Sequence, residues 1–143
     1  MELDKYIEHQ KAKLASFDDF ALSLMLKESN SLLSETKQAL REKGVPGAEY
    51  SPGYSAYRAK RGRQTAKVDL TFTNRMLNNT QVNKVLPTGQ TELTAFIGPS
   101  QQRERDKFKK NMRRYGNFLK VNDAQRKRFQ KRYIQAITKY ISD

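Results

Sequence analysis

The sequence lacks cysteine and tryptophan, contains one histidine, and has 15 acidic residues against 28 basic ones. Without cysteine there is no disulfide and no thiolate, which excludes thiol catalysis and a cysteine-ligated zinc site. This usage is typical of a protein made in a reducing cytoplasm. No apolar run approaches the roughly 20 residues of a membrane-spanning helix, and the charged start MELDKYIEHQ is unlike a secretory signal. We therefore expect no membrane contact.

The sequence offers no set of residues that suits catalysis. Its single histidine, His9, has no partner nearby in the sequence and is expected on the solvated surface. Asp18 and Asp19 are adjacent acids at an expected helix start. Their negative charges are expected to interact with the positive end of the helix dipole rather than to bind a metal ion. Glu104 and Asp106 lie among basic residues and are expected to form ion pairs with nearby lysines on a solvated helix face. We expect no enzymatic activity, no cofactor and no metal.

The net charge of +13 comes from two segments of the chain. Residues 50–67 carry five basic residues and no acid, and residues 101–132 carry thirteen basic and three acidic residues. Residues 1–49, by contrast, carry seven basic and nine acidic residues. Charge this uneven indicates a polyanionic partner or an acidic protein surface.

The N-terminal part of the chain has helical periodicity in two stretches. Residues 2–15 have the spacing of an amphipathic helix. Ser16 is a favourable N-cap, which predicts that a second helix starts there and runs to Lys43, where Gly44 ends it. The polar stretch at 28–31 predicts a kink or a solvent-facing break in that helix.

The segment 44–66 contains four glycines, two prolines and three tyrosines. These residues predict an ordered or partly mobile loop with one helical turn over Ser55–Lys60. Loops of this length in compact domains are usually functional or disordered, so this one is unlikely to be a mere connector.

Strand signals follow the loop. Apolar and polar residues alternate in VDLTF, which predicts a strand over Val68–Phe72 with Asp69 facing away from the apolar side. A helical turn over Arg75–Asn79 comes next. The following stretch predicts a β-hairpin, with its turn at Pro87–Gln90 and its end at Gly98-Pro99.

Two helices are predicted after the hairpin. Ser100 is the expected N-cap of a basic helix that runs to about Tyr115, before Gly116 stops it. Asn122 and Asp123 open a last helix with an apolar stripe at helical spacing. That stripe consists of Phe129, Tyr133, Ala136, Ile137, Tyr140 and Ile141.

The order of these elements predicts an α+β fold, in which a small antiparallel sheet packs against a long N-terminal helix and a C-terminal helix. At 143 residues the chain is long enough for one domain with a modest core. The expected single domain, 1–143, has four parts. They are a helical part (1–43), a basic loop rich in Tyr, Gly and Pro (44–66), a strand plus hairpin (67–99), and basic helices (100–141).

Two sets of residues are candidates for contact with a polyanion or an acidic protein surface. Tyrosines and cations of the loop offer stacking surfaces and phosphate contacts, and the helix after the hairpin carries cations on all sides. The loop set is Tyr54, Tyr57, Arg58, Lys60, Arg61 and Arg63. The helix set is Arg103, Arg105, Lys109, Lys110, Arg113 and Arg114.

Four segments, in order, carry a family resemblance: YSPGYSAYRAKRGRQT (50–65), VDLTFTNRML (68–77), TAFIGP (94–99) and RRYGNFLKVNDAQRKRF (113–129). Together they resemble the small virion-morphogenesis proteins of tailed bacteriophages, in the head–tail connector, tail-completion and neck group. The resemblance extends over residues 15–141. Where that family commonly has Thr-Gly, this chain has Thr-Asn at 73–74, and asparagine tolerates a left-handed backbone well.

The resemblance implies a non-enzymatic structural role in the virion, which is assembled in the host cytoplasm. Copies would form a homo-oligomeric ring at the neck, among portal-adjacent and tail-tube proteins, around a channel that carries genomic DNA. The loop cations would contact a neighbouring ring or the DNA. Joint replacement of Arg58, Lys60, Arg61 and Arg63 is therefore expected to block assembly and to leave the fold intact.

Charge alone leaves a second hypothesis open. A basic nucleic-acid-binding accessory protein would also need this much single-sign charge. An enzyme such as a nuclease is the least supported class, because the sequence shows no acid cluster that would bind a metal.

Overall fold

The computed structural model describes residues 2–70, 74–89 and 92–143. Within them, five helices and one two-stranded antiparallel sheet form the α+β fold that the sequence predicts. The elements are α1 (Glu2–Lys43), α2 (Pro52–Ala59), α3 (Arg75–Asn79), β1 (Thr80–Gly89), β2 (Glu92–Pro99), α4 (Gln102–Tyr115) and α5 (Asp123–Ser142). Helix α1 contacts both strands and α5.

Helix α1 is uninterrupted over 42 residues, a length of about 63 Å. The predicted helix start at Ser16 is therefore wrong. Its hydroxyl donates to the carbonyl of Lys13 and also contacts the hydroxyl of Tyr140, so it caps nothing. Phe20 stacks on Tyr140 with ring centroids 4.0 Å apart. Packing against α5 keeps this stretch helical where the local sequence favours a start.

The expected solvent-facing break at 28–31 does not occur, because α1 continues through these residues. Glu28 and Ser29 are buried rather than exposed. An oxygen of Glu28 accepts a hydrogen bond from Arg132 of α5 at 2.7 Å. A partner on a neighbouring helix therefore explains the polar residue that the sequence suggested was solvated.

The loop contains more helix than predicted. Helix α2 covers Pro52–Ala59 in place of a single turn over Ser55–Lys60. The hydroxyl of Ser51 accepts from the backbone N–H of Tyr54, and the following proline occupies a first-turn position where its missing N–H does no harm.

The strand predicted at Val68–Phe72 is wrong for its described part. No strand forms from Val68 to Leu70, and Leu70 has a φ of 59°, a left-handed conformation that interrupts an extended run. Phe72 lies outside the described residues. Val68 and Asp69 are both buried, although alternation placed Asp69 on the opposite side.

The β-hairpin is confirmed. Its strands pair antiparallel, with Thr80 opposite Pro99 at the open end. Pro87 still pairs within the ladder, so the predicted turn over Pro87–Gln90 begins too early. Both strands of a two-stranded sheet are edge strands, which accommodate a proline. The last residue of the predicted turn, Gln90, lies outside the described residues.

The helical turn over Arg75–Asn79 is confirmed as α3, and its last residue organises the start of α4. The side-chain oxygen of Asn79 accepts from the backbone N–H of Gln101 at 2.8 Å and from the hydroxyl of Ser100 at 3.1 Å. Ser100 therefore does not cap α4 as expected, and Gln101 holds the N-cap position.

Local signals predict two other helix ends correctly. Gly116, with a φ of 73°, follows the last residue of α4. Asn122 opens α5 through a capping box with Gln125. Ile141, in the predicted apolar stripe, is 61% exposed. The half-buried members of the stripe are Phe129, Tyr133, Ala136, Ile137 and Tyr140.

The hydrophobic core lies where the C-terminal end of α1 meets residues 44–50, α3 and the segment around α4. Its buried members are Leu40, Val45, Tyr50, Val68, Met76, Leu77 and Phe118. Gly44 has a φ of 70°, and a Cβ there would lie 2.8 Å from the Cβ of Lys67. A glycine is therefore needed where the chain leaves α1. This core packs the basic loop beside the basic helix α4.

Candidate polyanion-binding interface

Arg58, predicted as a contact residue, is only 1% exposed. Its Nη2 lies 3.5 Å from Oδ1 of Asp69, and its Nε donates to the carbonyl of Gln64 at 2.9 Å. Its guanidinium carbon lies 4.5 Å from the centre of the Tyr50 ring. A buried charge needs partners of this kind. The burial argues against direct contact between Arg58 and a partner, and it argues against the expectation that the fold stays intact when Arg58 is replaced.

Tyr50 completes this buried group, which we name the Arg58 cluster (Tyr50, Arg58 and Asp69). The hydroxyl of Tyr50 accepts from the backbone N–H of Leu70 at 3.3 Å and donates to Asp69 at 3.4 Å. Burial is the main cause that raises the pKa of Tyr50 above its ordinary value. The cluster therefore ties α2 to the segment at Val68–Leu70 and explains why Asp69 points inward.

Aromatic and cationic side chains continue outward from the Arg58 cluster along α2. Tyr54 meets the ring of Tyr50 edge to face at 5.2 Å, and it stacks on Tyr57 at 5.9 Å. The guanidinium of Arg61 lies 3.7 Å from the centre of the Tyr57 ring. The exposed cations of the loop set are Lys60, Arg61 and Arg63.

The cations of α4 form two rows on the helix surface. The first row follows the spacing i, i+4, i+7, i+11 and consists of Arg103, Lys107, Lys110 and Arg114. The second row follows i, i+4, i+8 and consists of Arg105, Lys109 and Arg113. Lys107 pairs with Glu104 at 3.2 Å. In residues 2–70, 74–89 and 92–143, no other cation of α4 forms an ion pair.

Each acid of α4 departs from the prediction in one respect. Glu104 makes the expected pair with a lysine, but it is 3% exposed and so does not lie on a solvated face. Its second carboxylate oxygen is buried and accepts no hydrogen bond within the described part of the chain. Asp106 accepts from Gln102 at 3.0 Å and pairs with no lysine there. His9 is exposed, as expected.

The first row of α4 cations lies beside α2 across a cleft of about 380 Å³. Three of its cations, Lys107, Lys110 and Arg114, line the cleft. The tyrosine rings there belong to Tyr50, Tyr54 and Tyr115, and the amide side chains to Asn74 and Asn111. Arg58, Leu70 and Met76 complete the described lining, which includes no acidic residue. We call this feature the α2–α4 cleft.

The cleft brings together one third of the predicted contact residues, and it adds others. From the loop set it contains Tyr54 and Arg58, and from the helix set Lys110 and Arg114. The remaining members are exposed and do not belong to its described lining: Tyr57, Lys60, Arg61, Arg63, Arg103, Arg105, Lys109 and Arg113. The cleft also contains Lys107, Asn111 and Tyr115, which were not predicted as contact residues. Their spacing from Lys110 and Arg114 places them on the same side of α4, so the sequence did contain a signal for them.

Helix α5 is also basic, but two of its arginines are paired with α1. Arg132 lies 2.7 Å from Glu28 and 3.4 Å from Glu35, and Arg128 lies 3.3 Å from Glu35. Hydrogen bonding to Glu28 is the main cause that raises the pKa of Arg132. These arginines connect the two helices, a role that the charge pattern did not predict.

The remaining structural observations concern metals and membranes. The described residues contain no group of three or more His, Cys, Asp or Glu side chains arranged to hold a metal ion. No helix among them is long and apolar enough to span a bilayer. Comparison of the chain with protein-family models, with curated proteins and with solved structures finds no match.

Proposed function

We propose that this chain is a non-enzymatic structural subunit of a tailed-phage virion, a head–tail connector or tail-completion protein that assembles into a ring at the neck. Its sequence supports the proposal through the four segments that resemble that group. The structure supports it through exposed apolar side chains at one end of the molecule, which the rest of the described chain does not cover. Leu3, Leu14 and Ile141 are 69%, 76% and 61% exposed.

Two of these residues, Leu14 and Ile141, belong to helical turns that meet along the α1–α5 pair. Lys13 donates to the carbonyl of Ile141 at 3.4 Å, so the last turn of α5 lies beside the turn of α1 that carries Leu14. Residues 2–9 of α1 are all exposed and precede this contact. An uncovered apolar stripe of this kind is typical of a surface that a second molecule covers.

A second copy of the chain is the partner that the proposal requires. If this end of one subunit meets a different surface of the next, the contact is heterologous, and a heterologous contact that closes makes a ring. The exposed cations of α4 and of the loop would then face DNA or an acidic neighbour in the virion.

A substitution at Leu14 tests the proposal. Leu14→Asp places a charge in the apolar surface, and Leu26→Asp is the matched control, because Leu26 is an exposed leucine (43%) elsewhere on the same helix. Light scattering after size-exclusion chromatography and native mass spectrometry should give a ring-sized species for the wild type and for Leu26→Asp, and smaller species for Leu14→Asp. A wild type that stays monomeric, alone and with the proteins encoded beside it, would contradict ring assembly.

A second candidate function, a nucleic-acid-binding accessory protein, is favoured by the cations of α4 that pair with no acid among the residues that the structure describes. Such a protein would bind bare DNA by itself, with an affinity that falls steeply as salt rises. Tight binding at physiological salt by a protein that forms no ring would favour this candidate over the first.

A further inference from the structure

We propose that the α2–α4 cleft binds a phosphate group together with the unstacked base attached to it, as presented by single-stranded nucleic acid. The site depends on the geometry of the cleft and not on ring formation, so it goes beyond the structural role proposed above. It would give the protein a specific contact with an unpaired stretch or end of a nucleic acid strand.

Charge on the α4 side of the cleft suits a phosphate. Lys110 and Arg114 are spaced i, i+4, so their side chains lie on neighbouring turns and can converge on one anion. Neither forms an ion pair within the described part of the chain, whereas Lys107 already has Glu104. Asp69, which precedes the lining residue Leu70 in the chain, is held by the guanidinium of Arg58 and the hydroxyl of Tyr50. The cleft therefore keeps its positive charge.

Aromatic and amide side chains suit the base. Tyr54 and Tyr115 are half-buried and line the cleft, and tyrosine rings stack on bases of any sequence. The side-chain oxygen of Asn74 is buried and receives no hydrogen bond within the described residues. Among the described residues, Asn111 donates only to the sulfur of Met76, at 3.3 Å, which is a weak acceptor. An acceptor and a donor are therefore available for a base edge.

The size of the cleft suits a single strand better than a duplex. At about 380 Å³, the cleft falls near the lower end of the roughly 300–1,000 Å³ of small-ligand sites, which suits one nucleotide unit. In a duplex each base is stacked on both sides, and it enters a pocket only after it is pulled out of the stack. The cleft should therefore prefer single strands to duplexes, whereas an open basic face attracts both.

The test compares two pairs of cations on the same helix. Lys110→Gln with Arg114→Gln removes two charges from the cleft, and Lys109→Gln with Arg113→Gln removes two exposed charges outside its described lining. The probe is a labelled oligothymidylate of about 12 nucleotides, within the site sizes of single-strand binding modules. Its affinity is measured by fluorescence anisotropy at physiological salt. We expect the cleft variant to weaken binding about tenfold or more and the control about threefold or less.

Further binding measurements identify the ligand. An abasic strand of the same length and a duplex should each bind the wild type about tenfold more weakly than oligothymidylate. Because the chain has no tryptophan, its intrinsic fluorescence comes from tyrosine, and oligothymidylate should quench it more than the abasic strand does. Circular dichroism melting checks that both variants fold, and light scattering compares their assembly with that of the wild type.

Three outcomes would overturn the proposal. Equal losses in the cleft and control variants would show a diffuse electrostatic contact. Equal affinity for the abasic strand or the duplex would exclude a base in the cleft. Competition by polyglutamate as strong as that by oligothymidylate would indicate an acidic protein surface. Failure of ring assembly with the expected binding pattern would remove the structural role and leave this site in place.

Discussion

Helices α4 and α5 are both rich in arginine and lysine, but their cations have different surroundings. On α5, Arg132 and Arg128 reach the carboxylates of Glu28 and Glu35, which lie on α1. On α4, within the described residues, only Lys107 has an acidic partner, and that partner lies on the same helix. The charge of α5 therefore includes contacts that join two helices, whereas the charge of α4 is directed at the cleft and at solvent.

The same contrast appears within α2 and the turn after it. Arg58 is buried against Asp69, whereas Arg61, three residues later, is exposed and lies over the ring of Tyr57. Both residues belong to one run of basic sequence. The presence of an acidic partner elsewhere in the fold, rather than the density of cations, separates a structural arginine from one available to a ligand.

The largest effect should come from Arg58. Arg58→Gln leaves Asp69 buried without its cation, and breaking a buried pair from one side costs roughly 3–5 kcal/mol of unfolding free energy. Urea denaturation at neutral pH measures the loss. Arg61→Gln is the matched control and should change the free energy by less than about 0.5 kcal/mol.

This comparison also replaces the joint substitution of the four loop cations. A variant with Lys60, Arg61 and Arg63 changed, and Arg58 retained, should fold like the wild type, so that its assembly and binding can be measured. If Arg58→Gln proved as stable as Arg61→Gln, the buried pair would not be holding α2 in place.

A smaller effect is expected for the contact between α1 and α5. Arg132→Gln removes the hydrogen bond to the buried carboxylate of Glu28. Because the side chain of Arg132 is partly exposed, solvent screens this interaction, and we expect a loss of about 1–2 kcal/mol of unfolding free energy. The control is Arg126→Gln, whose partner Asp123 is exposed and which should cost close to zero. A double-mutant cycle with Glu28→Gln isolates the pair, and a coupling energy indistinguishable from zero would mean that this pair adds nothing to the other contacts between the two helices.

The parts of the fold predicted correctly are those that short stretches of sequence determine. The capping box at Asn122 and the glycine at the end of α4 act within a few residues, and so does the hairpin pattern. The errors share a different cause. Ser16 stays inside a helix because of Tyr140, 124 residues away, and Asp69 turns inward because of Arg58. From the sequence, the predicted contact residues formed two separate sets. Only the tertiary fold brings some members of each set to one cleft.

The smallest effect concerns the hydroxyl of Tyr50. At pH 8 we expect Tyr50→Phe to cost about 1 kcal/mol, since it removes hydrogen bonds to Asp69 and Leu70. Burial raises the folded-state pKa of Tyr50 above its ordinary value of 10.0. The folded state therefore holds the phenol proton more tightly than the unfolded state, and the stabilisation is complete below that ordinary value and declines as pH rises through the folded pKa. The stability gap between the wild type and Tyr50→Phe should accordingly narrow above about pH 10, measured by urea midpoints, while exposed Tyr6→Phe follows the wild type throughout. A gap that widened with pH would mean that the ionised phenolate, next to Arg58, is the form that the cluster favours.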